Sequence, residues 1–311
     1  ASLPTQNMLI AFEPQCFPAS PSVKTHYKKL AVCPAKCIFA KDIFFIMKIK
    51  EVAQTLERFA PLPLQDSYDN AGLQIGLTET EASGVLLCLD VTEDVISEAQ
   101  QLGLNLIVSH HPLLFHGVKC VSNRSYVERC MRMAIKSDIA IYSAHTNLDN
   151  ARGGVNFALA DMLGLNDVTF LQPHGDDAGS GVIGCLPQPL SAADFLARVA
   201  TTLHAECLMH NRPINRPISR VALCGGAGDF LLNEAIEAQA DAFITGEMHY
   251  HHYFGHEDDI QIAVTGHYQS EVHTLQIFRR ILQEQFPTLR IVDTRHNTNP
   301  IHYTTRSFER K

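Results

Sequence analysis

Short apolar runs alternate with amphipathic stretches along most of this chain. Val85–Leu89 reads as a strand and Glu93–Leu102 as a helix. Leu104–Val108 reads as a strand, Arg124–Ile135 as a helix, Ile139–Tyr142 as a strand and Gly154–Leu163 as a helix. Upstream, Lys48–Ala60 carries Val52, Leu56 and Phe59 at helical spacing, and Pro61 stops it. Strands alternating with helices in this way predict an α/β fold with a largely parallel or mixed sheet.

The pattern then repeats. Val85-Leu-Leu-Cys88 resembles Val221-Ala-Leu-Cys224, and the same offset lays Glu98 and Ala99 over Glu234 and Ala235. The strand Leu104–Val108 falls over Ala240–Ile244. A second alignment places Ile139–Asp149 over Gln261–Glu271, so that each copy has a His at a strand's C-terminal end and a carboxylate four residues on. Two duplicated α/β lobes facing each other are therefore expected, at residues 47–165 and 219–311. Between them, residues 166–218 carry short strand candidates around a helix at Ala192–Leu203, punctuated by Pro213 and Pro217, and read as a connecting subdomain.

Residues 1–46 differ. They hold five prolines, three cysteines and five lysines against Glu13 and Asp42, with no sustained periodicity. The expectation is that Met47 is the natural start and the upstream stretch an extension; a docking arm or an organelle-targeting segment are the alternatives. Cys33 and Cys37 could form half a zinc site, but no second half with suitable spacing follows, so unpaired thiols are the plainer reading.

Composition narrows the function. At 46% apolar and 19% charged residues the chain is ordinary globular protein, and no apolar run approaches the roughly 18 residues of a membrane span. The formal charge of −8, without a basic stripe, disfavours nucleic-acid binding. A nucleotide-sized substrate stays open, because bound cations neutralise phosphates locally. Nine cysteines at irregular spacing, with Cys88 and Cys224 inside apolar strand-like runs, suggest a reducing, cytoplasmic setting. Sixteen histidines are the first functional hint.

Ligands in open α/β sheets collect at the carboxyl ends of strands. Four polar clusters fall there: Ser109-His110-His111, His145 with Asp149, Gly246-Glu247 with His249, and His267 with Glu271. Facing lobes would bring them into one cavity. Imidazole and carboxylate ligands suit Zn²⁺, Fe²⁺, Mn²⁺ or Co²⁺, and His267 and Glu271 would meet at i,i+4 in a helix beginning near Gln269. Singly, each residue has a plain structural role as a loop histidine, a turn aspartate or a first-turn acid. Together, in duplicated elements, they point to two divalent metal ions. His249 and His252, in the run His249-Tyr-His251-His252, are candidates for supporting the centre or contacting substrate.

These residues carry a family resemblance. Ser-His-His-Pro at 109–112, His-x-x-x-Asp at 145–149, Thr-Gly-Glu at 245–247 and Gly-His-x-x-x-Glu at 266–271 resemble the NIF-three-like dinuclear metal-centre proteins. Members of that family are often described as GTP cyclohydrolase I type 2 homologues. Tyr68-Asp69-Asn70-Ala71-Gly72-Leu73 and Asn297-Thr298-Asn299-Pro300 resemble its N-terminal segment and tail, so the likeness covers residues 47–305. The resemblance implies His110, His111, Asp149, His267 and Glu271 as metal ligands, and a toroidal homohexamer with its metal sites facing an internal cavity. Residues 1–46 have no counterpart in it.

A metal-dependent hydrolase acting on a nucleotide-like substrate is the expected activity, with purine-ring opening of GTP as the specific case. His145 or Glu247 would shuttle the proton. The chain lacks a G-x-x-x-x-G-K-[ST] loop and a G-x-S-x-G elbow, which disfavours P-loop and serine-hydrolase chemistry. A non-catalytic protein that stores, delivers or senses metal would use the same ligands. Removal of residues 1–46 is expected to leave metal content and assembly unchanged, as read by elemental analysis and native mass; loss of either would give that segment a structural role.

Overall fold

The computed structural model describes residues 47–304, so the expectations for residues 1–46, including those for Cys33 and Cys37, lie outside the described residues. The apolar runs build two sheets. In the first, β1 (Gly72–Ile75), β2 (Val85–Cys88), β3 (Leu106–Ser109), β4 (Ala140–Ser143) and a late strand, β11 (Ile291–Asp293), lie in the order β1-β4-β3-β2-β11. All pairings are parallel except that of β1, which closes the β4 edge antiparallel. Every residue of β2, β3 and β4 is buried, as strands covered on both faces must be, and this is why they read as unbroken apolar runs.

Helices supply both covers. One face packs Leu87, Val108 and Tyr142 against Ile49, Val52 and Leu56 of α1 (Ile49–Phe59) and against Phe278 and Leu282 of a late helix, α9 (Thr274–Gln285). The alternate strand residues, Leu86, Ile107 and Ile141, pack on the other face. There they meet Val95 and Ile96 of α2 (Glu93–Leu102) and Cys130 and Ala134 of α3 (Tyr126–Lys136). Local signals fix the helix ends. Thr92 and Ser125 cap α2 and α3 by accepting the backbone N–H groups of Val95 and Glu128, and Gly103 ends α2 in the left-handed region at φ 67°.

The second sheet runs β5-β6-β8-β9-β10-β7. Its centre is three parallel strands, β8 (Ile218–Cys224), β9 (Ala242–Thr245) and β10 (Gln261–Val264). The antiparallel pair β5 (Asn166–Pro173) and β6 (Gly179–Leu190) extends the β8 edge, and the two-residue β7 (Met209–His210) closes the other. α5 (Val155–Leu163) and α6 (Ala192–Thr202) cover one face through Leu159, Phe195 and Val199, while α7 (Leu232–Glu237) covers the other through Leu232 and Ala235. Among the described residues no helix is long and apolar enough to cross a membrane.

Three expectations change. The segment 166–218 was expected as a connecting subdomain, but its strands join the second sheet, because the edge of β8 would otherwise present unpaired backbone. The second lobe was expected to hold residues 219–311, yet α9 and β11 cross back to complete the first sheet: the apolar face of α9 finds its partner on α1, not in its own half. The internal repeat is also one residue out of the expected register in its last strand. Val85 and Val221 pair with Leu106 and Ala242 in equivalent ways, but Leu106 then pairs with Ala140 while Ala242 pairs with Gln261. Gln261, not Ile262, is thus the counterpart of Ala140, and His145 lies opposite Gly266; both of these residues precede the first turn of a helix.

Phe278 ties the returning helix to the first sheet and is fully buried. Phe278→Ala is expected to cost about 3–5 kcal/mol, measured by denaturant unfolding; a loss under about 1 kcal/mol would mean that α9 is dispensable to the first sheet.

Candidate metal centre

The parallel strands of both sheets end on one site. β3 delivers His110 and His111, whose backbone N–H groups donate to the carbonyls of Cys88 and Leu89 at the end of β2. β4 leads through His145 into the one-turn helix α4 (Thr146–Asp149), which ends on Asp149. β10 leads through Gly266 into the short helix α8 (His267–Glu271). That helix starts at His267, two residues before the expected Gln269, and its i,i+4 spacing brings His267 Nε2 to 3.0 Å from Glu271 Oε2.

The two oxygens of Glu271 face different partners. Oε1 lies 3.8 Å from His110 Nε2, which is 3.7 Å from Asp149 Oδ1. Oε2 lies 3.0 Å from both His111 Nε2 and His267 Nε2, and those two nitrogens are 3.3 Å apart. The separations around His110 are too long for hydrogen bonds. They are nearer the roughly 3.3 Å between ligands that each stand 2.0–2.1 Å from one tetrahedral cation.

Each imidazole is turned the same way. Nδ1 of His110 hydrogen-bonds the Ala144 carbonyl at 2.9 Å, and Nδ1 of His111 bonds Asp90 Oδ1 at 2.7 Å. His145 Nδ1 and His267 Nδ1 bond Asp69 Oδ1 and Glu247 Oε1, each at 2.7 Å. In a neutral ring an oxygen acceptor at Nδ1 places the proton there and leaves Nε2 as a lone pair, the arrangement of metal-ligating histidines; a charged ring reaches it by giving up its Nε2 proton when a cation binds. His110 Nε2 is fully buried and has no hydrogen-bond partner, a state that a cation would relieve. The ligand atoms of His110, His111 and His145 lie within 4.8 Å of one another, as do those of His111, His267 and Glu271. Both groups could hold a metal ion.

Without a cation the rings differ in charge. Burial drives His110 down to about 4, a neutral ring at pH 7. Burial also works against charge on His111 and His267, but carboxylates outweigh it: Asp90 and Glu271 hold His111 at about 10, and Glu271 and Glu247 hold His267 at about 9. Glu271 is held well below the carboxylate range by its three imidazoles despite its burial. Asp149 goes the other way, raised by burial and by the Glu271 charge. Two carboxylates in one enclosed site attract positive charge, and divalent cations would supply it.

The centre opens into a cleft of about 230 Å³ lined by His145, Asp149 and Glu271 and flanked by the aromatic rings of Tyr68, Phe115 and Phe230. Glycine shapes its wall. Gly226 adopts φ +62°, and a Cβ there would overlap Glu271 Oε1.

All five expected ligands thus converge, and His145 stands beside them on the cleft side, with its Nε2 near those of His110 and His111 but facing the open space. Glu247 stands outside, behind His267. His249 and His252 group instead with Asp229. Sequence reading missed the oxygens behind the rings. Asp69 is visible in the sequence only as part of a family-like segment, while Asp90, two residues past β2, is a strand-end acid like those that were read. Thr298, in the C-terminal tail, donates to Asp90 Oδ2 at 2.7 Å and carried no spacing signal at all.

Fold and site together define a two-sheet α/β protein with a shared histidine–carboxylate cluster that could hold a metal ion. The chain belongs to the Duf34/NIF3 (NGG1p interacting factor 3) family, whose family model matches residues 47–300. It is 33% identical over 228 residues to a protein of Clostridium perfringens, covering 72% of this chain and 87% of the relative. It is 32% identical over 270 residues to one of Streptococcus pneumoniae, covering 83% and 100%. Both are named GTP cyclohydrolase 1 type 2 homolog. The crystal structure of a Bacillus cereus protein related to NIF3 superposes with a TM-score of 0.78 at 25% identity, over 83% of this chain and 99% of that one.

Thr298→Val and Gly226→Ala test the two supports. Removing the Thr298 hydroxyl is expected to weaken metal affinity about 10-fold or more, read by chelator competition, with Thr298→Ser restoring it. Gly226→Ala should displace Glu271 and lower metal content; full content in this variant would show that the loop yields freely.

Proposed function

We propose that this protein is a dinuclear metal-dependent hydrolase acting on a nucleotide-like substrate, with GTP-cyclohydrolase-type ring opening as the specific case. The observation that carries the reading is Glu271, with one oxygen toward His110 and Asp149 and the other toward His111 and His267. One carboxylate facing two ligand sets is the arrangement of a bridge between two cations. Zinc, iron and manganese all suit this ligand set. When bound, the cations would polarise the scissile centre and lower the pKa of the attacking water.

The chain's own residues supply the rest. Tyr68, Phe115 and Phe230 offer aromatic surface along the cleft, suited to stacking on a planar base. His145 borders the cleft with Nδ1–H held by Asp69, leaving Nε2 to take a proton from water and return it to the leaving group. Asp69 fixes the tautomer and stabilises the imidazolium; it stands at about 2, because His145 and Thr146 outweigh its burial. Of the two residues expected to shuttle protons, Glu247 is the less suited, since its carboxylate is engaged with His267 Nδ1. The cleft itself favours turnover over storage, because storage needs no room for a substrate.

The test is a nucleotide-hydrolysis screen on metal-loaded protein. Glu271→Ala is expected to lose both bound metal and turnover. His145→Ala should keep its metal while kcat falls about 10²–10⁴-fold. Two tightly held metals with no turnover on any nucleotide would favour storage, delivery or sensing instead, and undiminished kcat in His145→Ala would remove its proton-transfer role.

A further inference from the structure

His249, Asp229 and His252 form a second cluster apart from the centre. Asp229 opens the 3₁₀ turn Asp229–Leu231 that follows β8, and its side chain is only 12% exposed. The backbone N–H of His249 donates to Asp229 Oδ2 at 3.2 Å, which fixes the carboxylate against the next strand's loop. His249 precedes the 3₁₀ turn Tyr250–Tyr253, and the His252 N–H donates back to the His249 carbonyl at 3.0 Å. At three residues per turn, positions i and i+3 eclipse, so the two rings stand on one face with centroids 5.5 Å apart.

Both rings aim the same atom at the same oxygen. His249 Nδ1 bonds Asp229 Oδ2, and His252 Nδ1 lies 3.3 Å from that oxygen. The carboxylate can accept from the Nδ1–H of both rings, and a ring that gives up that proton turns a lone pair to the same point. A cation at the point of convergence satisfies all three. The ligand atoms lie within 4.8 Å of one another, and His249 and His252 are 83% and 46% exposed, which leaves coordination positions to water.

We infer that Asp229, His249 and His252 form a separate, solvent-accessible site for a transition-metal cation. Two imidazoles and one carboxylate suit Zn²⁺, Co²⁺ or Ni²⁺ over Mg²⁺ or Ca²⁺, which prefer all-oxygen ligands. The site stands beside the buried centre. Phe230, next to Asp229, lines the cleft, and Glu247, two residues before His249, holds His267. Exposed on two of its three ligands, it binds more weakly and exchanges faster than the buried centre. It shares no ligand with that centre, so the two assignments can fail independently.

Full-length protein stripped by chelator and reloaded with Co²⁺ tests the inference. Wild type is expected to bind one more Co²⁺ per chain than the His249→Ala/His252→Ala double variant, and anomalous scattering should place that ion between the two rings and Asp229. Asp229→Asn, which can still accept the His249 N–H, serves if the double variant misfolds, and should also lose the extra equivalent. Glu271→Ala should empty the buried centre and leave this site filled. Equal Co²⁺ uptake by wild type, Asp229→Asn and a folded double variant would overturn the inference, as would an ion bound by only one of the rings.

Discussion

Glu271 is the residue through which the two halves of the protein meet. Its side chain is 5% exposed, and it faces histidines from both sheets. A buried carboxylate without compensating partners costs several kcal/mol. Its three imidazoles, and the oxygens behind them, are therefore conditions of the fold as much as features of a site. Asp90 stands behind His111 and Glu247 behind His267, while His110 is turned by a backbone carbonyl that cannot swing away. Each layer limits the freedom of the one inside it, down to the two oxygens of a single side chain.

The scaffold makes this convergence cheap. Parallel strands all end on the same side of their sheet, so a residue just past β3, β4 or β10 reaches the shared crevice without special loops. Short helices then set the ligand spacing. One turn separates His267 from Glu271, and another separates His145 from Asp149. Glycine keeps the wall thin where the second sheet comes closest, at Gly226 against Glu271.

Much of this was legible in the sequence. Strands buried on both faces are mostly apolar, so Val85–Leu89, Leu104–Val108 and Ile139–Tyr142 stood out as runs, and the polar residues that follow them stood out by contrast. The five expected ligand positions were singled out that way and by resemblance. Other features left no local signal. The one-residue slip between β4 and β10 is a property of backbone pairing, and the shared His-x-x-x-acid spacing points to the register that the strands do not adopt. The return of α9 and β11 is tertiary, since an amphipathic helix does not say which sheet it will cover. Asp69 and Asp90 act across long stretches of chain, 76 and 21 residues from the histidines they orient, so no spacing rule exposes them.

The crossing of α9 and β11 sets an order of events during synthesis. Until residues near Ile291 leave the ribosome, the first sheet has a bare β2 edge, and the face that α9 covers lies open. Glu271 and His267 emerge late as well. The nascent first half thus holds His110, His111 and Asp149 without the residue that joins them into one centre. A cluster able to hold a metal ion is in this way completed only at the end of translation, when the last strands and helices bring side chains of both sheets together.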